Sequence, residues 1–350
     1  MSRIGLALLL SSGLAIDARA QAIDASPMDL LQFYEMGQHD PVAQALERAA
    51  TGDFVDLLKA LQREGTAWIA ADGPKWMTSR RQVVATFALE AARAGLETQW
   101  ENSKAFIEWA CTLLRRQPTA SAFERAWHLA ALAVLEGSRD LNAIRLHLAH
   151  IEKRVPDEAR LRLARAFVLE TEYWNDAQAG PVTFATPLGP PARTDRERDE
   201  GADEIVRALT PLAGVAATAN EAIMRLGFFL LRAGQPDAAL RRFRLLATPD
   251  DPGQAHLVHL FSAWAHQRLG RKDDAIGAYR AALDSIPAAQ TASLQLAVLL
   301  HTEGRAAEAK TVMDAMLARQ IPVFDPWRNF GYGDLRRWPL LISDLRRMLQ

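Results

Sequence analysis

Three stretches decide the fold: Leu231-Arg232-Ala233-Gly234-Gln235-Pro236-Asp237-Ala238-Ala239, Gln267-Arg268-Leu269-Gly270-Arg271-Lys272-Asp273-Asp274-Ala275 and His301-Thr302-Glu303-Gly304-Arg305-Ala306-Ala307-Glu308-Ala309. Each sets one glycine between two apolar segments of helical period, with an alanine five residues later. Frames beginning at Asn220, His256 and Gln290, 36 and 34 residues apart, align them. Position 8 is Gly227, Ala263 and Ala297; position 20 is Ala239, Ala275 and Ala309. Small residues there let two antiparallel helices approach closely. Position 15 is Gly234, Gly270 and Gly304, where a helix ends by taking a left-handed residue. Position 24 is Phe243, Tyr279 and Met313, large residues that fill the space between hairpins. Pro252, Pro287 and Pro322 follow at position 32 or 33 and are expected to stop the second helix. An internal period of this length is the signature of a repeat array.

These three frames resemble tetratricopeptide repeats, the second most closely. Leu246 and Met316 depart from the pattern at position 27, where a small residue is usual. The resemblance covers residues 220–323. It implies an all-α fold, an α-α superhelix of stacked antiparallel hairpins, and a role in binding other proteins. In such arrays the first helix of each hairpin lines a concave groove. Here the matching residues are Met224, Phe228, Leu231 and Arg232, then Leu257, Leu260, Trp264, Gln267 and Arg268, then Leu294, Val298 and His301. That lining is apolar with Arg at its edge. It suits an apolar helix or extended segment of a partner, or else is filled by the chain's own carboxy-terminal segment or closed by a tight superhelix. It lacks the Lys and Asn ring with which family members clamp a peptide's terminal carboxylates.

The preceding chain is also helical in period, and no stretch alternates long enough for a strand. Pro27, Asp40-Pro41 and Gly52-Asp53 mark helix starts; Gly65 and Asp72-Gly73-Pro74 mark breaks. Helices are expected near 79–94, 97–117, 121–136, 141–154 and 157–173. A degenerate repeat carries Ala131, Ala143 and Pro156, with Gly137-Ser138-Arg139-Asp140 as its turn. Residues 175–197 hold Pro181, Pro187, Pro190 and Pro191 and close on the charged run 193–198, which reads as an exposed loop between two helical blocks. The expected organisation is a helical block over 23–174, this loop, a repeat block over 198–322, and an aromatic segment with a terminal helix over 323–350. Phe324-Asp325-Pro326-Trp327-Arg328-Asn329-Phe330-Gly331-Tyr332-Gly333 is expected to cap the last hairpin, as solenoid ends require.

At the amino terminus, Arg3, the apolar run Ile4–Ile16 and Ala18-Arg19-Ala20 read as a secretory signal over 1–20, placing the protein in the periplasm or outside the cell. The apolar run is too short for a comfortable membrane span.

Composition excludes more than it specifies. Net charge is −1, with 49% hydrophobic and 24% charged residues, so nothing points to nucleic acid or an anionic membrane. Cys111 is the single cysteine and lies in an apolar helical pattern. No nucleophile elbow, phosphate loop, Cys-x-x-Cys or His-Glu-x-x-His occurs. His147/His150 and His256/His259 share helix faces, but neither pair has a third ligand at metal spacing, and buried histidines are the favoured reading. The chain therefore reads as a non-enzymatic interaction scaffold with no cofactor and no metal. The alternative is a helical enzyme or small-ligand receptor with its site between the two helical blocks, for which Trp and His abundance is the support.

Overall fold

A computed structural model describes residues 26–350, apart from residues 53, 72–73, 115–120, 156–157, 177–194, 247–250 and 319–324. The fold is all-α: the described residues form seventeen α-helices and no strand. The signal-peptide reading of 1–20, and most of the proline-rich stretch 175–197, lie outside them.

The helices are α1 (Pro27–Glu35), α2 (His39–Ala49), α3 (Phe54–Ala70), α4 (Pro74–Ala94), α5 (Trp100–Leu114), α6 (Ala122–Ser138), α7 (Leu141–Ile151), α8 (Ala159–Asp176) and α9 (Asp195–Leu209). The repeat region then gives α10 (Ala219–Arg232), α11 (Pro236–Phe243), α12 (Pro252–Arg268), α13 (Lys272–Ser285), α14 (Gln290–Thr302) and α15 (Ala306–Leu317). Last come α16 (Pro326–Phe330) and α17 (Trp338–Met348).

Local chemistry sets many of these ends. Ser26 and Asp29 form a reciprocal capping box on α1, with Pro27 in its first turn. Ser121 caps α6, and the Asp140 carboxylate accepts from Ala143 N–H at 2.9 Å in α7. Asp251 accepts from Gly253 and Gln254, and Pro252 opens α12 rather than stopping the helix before it. A proline at the first helical position loses no hydrogen bond, so the residue expected to end one helix begins the next. Gly65 does not break α3, which runs through it. A Cβ there would lie 3.5 Å from Trp109 and Val84, an ordinary contact distance. The charged run 195–198 is the first turn of α9, not loop.

The three repeat turns share one geometry. Gly234, Gly270 and Gly304 have φ of +80°, +70° and +74°. In each, the glycine N–H and the next N–H donate back to consecutive carbonyls of the preceding helix, the Schellman pattern: Gly234 to Leu231 and Gln235 to Leu230, and likewise for the other two. Gly37, after α1, repeats it at φ +82°, with Gln38 donating to Phe33.

The described residues divide into two compact units, residues 26–143 with 337–350, and residues 144–336. In the first unit α4 packs on α5, α1 on α3 and α4, and α17 on α6. Its core includes Leu31, Leu46, Phe54, Leu61, Phe87, Phe106 and Trp127, all fully or almost fully buried. Each such side chain contributes roughly 1.5–3 kcal/mol by leaving water. The Trp127 indole N–H also donates to the Ala85 carbonyl at 2.8 Å. Glu90 is buried there. Arg346 of α17 donates to both its oxygens, at 3.0 and 2.6 Å, and the Tyr34 hydroxyl donates to one of them.

In the second unit α8, α9, the 3₁₀ turn Pro211–Gly214 and α10 share one apolar cluster through Tyr173, Ile205, Leu209, Leu226 and Phe229. From α10 to α15 each helix packs on its sequence neighbours, and a second cluster runs from Met224 to Phe330. Gly227 permits the closest approach. A Cβ on it would collide with the Phe243 ring, so positions 8 and 24 of the first frame fit each other.

Candidate protein-binding face

α10, α12 and α14 are the helices expected to line a groove, and the structure divides the predicted residues sharply. Met224, Phe228, Leu231, Arg232, Leu257, Leu260 and Trp264 are buried; Gln267 and Leu294 are half-buried; Arg268, Val298 and His301 are exposed. The extremes decide what a partner could touch, since Trp264 is 3% exposed and Val298 60%.

The cover over the buried part is the chain's own α16. Phe228, Phe261 and Trp264 form an aromatic box, with Phe228–Phe261 centroids 4.7 Å apart and Phe261–Trp264 5.5 Å. Trp327 stands edge-on to Trp264 at 4.9 Å, and Phe330 stands edge-on to Phe228 and Phe261 at 4.9 and 5.0 Å. Edge-to-face pairs at these separations are favourable beyond their buried area. The aromatic segment was expected to cap the final hairpin. Its rings instead lie on α10 and α12, against Phe228, Phe261 and Trp264. Its polar groups reach α14: the Asp325 carboxylate accepts from Thr291 N–H at 2.7 Å, and Arg328 donates to Gln290 at 2.7 Å. Asp325 also accepts from Trp327 N–H at 3.1 Å, which caps α16 itself.

A charge network anchors the far end. Arg225, buried on α10, donates to Glu170 at 2.9 Å, to Glu221 at 2.7 Å and to the Phe330 carbonyl at 3.3 Å. Its guanidinium lies 4.9 Å over the Phe167 ring and 5.1 Å from Phe330. Arg336 donates to both oxygens of Glu221 and lies 5.6 Å over Phe330. Burial alone would raise the Glu221 pKa, but Arg336 and Arg225 outweigh it and hold the carboxyl below its usual range. Burial lowers Arg232 to about 10, still a cation at neutral pH.

The remaining polar groups support packing. Tyr279 donates to Gln267, fixing that amide beside Trp264. His256 is fully buried with Nδ1 2.9 Å from the Ala282 carbonyl, a contact that requires the Nδ1–H tautomer. Burial lowers its pKa, so the ring is neutral at pH 7. His259, half-buried, shifts the same way for the same reason.

Sequence reasoning did not assign Glu170, Arg225, Asp325, Phe330 or Arg336 to this face. Asp-Pro followed by aromatics three residues apart is the signal of a capped helical turn with one aromatic side, and such a side needs a cover.

No known family's sequence model matches the chain, and no curated protein matches it.

Proposed function

We propose that the protein is a non-enzymatic interaction scaffold whose α10–α15 hairpins, similar in pattern to tetratricopeptide repeats, hold an apolar segment of another protein. The observation that carries this reading is the seating of α16 on α10 and α12. A short aromatic helix, contributed from outside the hairpins, is bound there by ring contacts, a capped amino end and an arginine on its last carbonyl. That is the chemistry of helix-in-groove recognition, carried out within one chain. Arg268, Val298 and His301 extend the same helices into solvent as the accessible edge. The signal-like amino terminus supports a site of action in the periplasm, the cell envelope or outside the cell. No helix among the described residues is long and apolar enough to cross a membrane.

Photo-crosslinking amino acids placed singly at Arg268, Val298 and His301 test this in the native cell envelope. The expected result is a discrete adduct from these positions and none from Lys310 or Asp314, exposed on α15. No adduct from any of the three, or equal adducts from the α15 controls, sinks the reading.

A further inference from the structure

The resident segment defines what the face accepts. Remove 325–336 in thought and three features stay behind on α10, α12 and α14. The first is the aromatic box of Phe228, Phe261 and Trp264. The second is the Thr291 N–H, a helix-start donor that Asp325 satisfies. The third is the buried Glu221 carboxylate, which keeps Arg225 but loses Arg336. A buried carboxylate stripped of one of its two cations is destabilised, so a replacement that brings a cation to Glu221 is favoured.

We propose that the α10–α12 face is a docking site for protein segments that mimic 325–336, and that α16 is its internal placeholder. The ligand class follows residue by residue. An acidic side chain caps a helical turn and meets Thr291. Two aromatic side chains three positions apart enter the box. A basic side chain about six residues after the second aromatic, as Arg336 follows Phe330, pairs with Glu221. The occupant is a partner's acid–aromatic–aromatic–base segment, competing with the chain's own. This rests on the scaffold reading and sharpens it.

The probe is a synthetic peptide of residues 325–336, DPWRNFGYGDLR, titrated by fluorescence anisotropy into three full-length chains: wild type, Trp327→Ala, and Trp327→Ala with Phe330→Ala. The double variant removes a buried ring, so the single one, altering a half-buried ring, guards against loss of fold. Circular dichroism verifies helicity first. The expected result is saturable binding that tightens at least about tenfold from wild type to a folded variant, because the internal competitor is weakened. Peptides with both aromatics changed to Ala, or with Arg336→Gln, bind at least about tenfold more weakly, one decade being about 1.4 kcal/mol. Binding unaffected by those changes overturns the proposal, as does no binding to a folded variant. If both variants lose their fold, the segment is core and not a placeholder, which also overturns it. Either failure leaves the crosslinking outcome at Arg268, Val298 and His301 independent, so the two readings fall separately.

Discussion

Single residues show where local chemistry is readable and where it is not. Gly234, Gly270 and Gly304 were legible because the left-handed conformation they adopt is one that side chains resist. Gly37 makes the same turn but stood outside any repeat frame, so its glycine alone did not single it out. Arg139 and Ala288 adopt φ of 59° and 61° without being glycine, and no residue type announces that. Ala288 precedes α14, in the stretch Ile286-Pro287-Ala288-Ala289. A left-handed alanine costs about 1–2 kcal/mol, partly offset by the extra unfolded-state freedom of glycine. Ala288→Gly is therefore expected to raise stability by about 0.5–1 kcal/mol, read as a higher urea midpoint at unchanged slope. A lower midpoint would show that the strain is absent.

At the scale of elements, the helices themselves were legible and their long-range partners were not. Helical period, Ser and Asp caps and glycine stops act within a few residues. The Arg225 contact with the Phe330 carbonyl joins positions 105 apart, and Arg346 meets Glu90 across 256. No local pattern encodes such pairs. This is why the rings of a segment read as a cap on the last hairpin lie on α10 and α12, and why seven predicted groove residues are buried. The Glu221 network gives this placement a pH signature. Its folded pKa is depressed, so its contribution is fully present above the unfolded value of about 4.3 and lost as pH falls through the folded one. Glu221→Gln removes the negative charge that Arg225 and Arg336 share. At pH 7 it is expected to cost about 3–5 kcal/mol, as breaking a buried pair does. In acid the protonated wild-type side chain resembles the variant's. Urea unfolding at pH 7 and pH 3 checks this: the gap between the two proteins should narrow at low pH, and a gap of constant size contradicts the assignment.

For the molecule as a whole, the sequence frames over 220–323 foretold a helical array, and the described helices agree with that class. The prolines at 175–197 do not separate the cores of the helices that flank them. Compactness follows burial, and Tyr173 on α8 packs with Phe229 on α10, so helices on either side of those prolines share one core. The central claim is that the hairpins stand by themselves and carry 325–330 as an occupant. Hydrogen exchange read by mass spectrometry on the full chain with Trp327→Ala and Phe330→Ala tests it most directly. The account predicts that 325–333 exchanges at unfolded rates while α11, α13 and α15 stay protected. Concerted loss of protection across 220–317 together with 325–333 would contradict it.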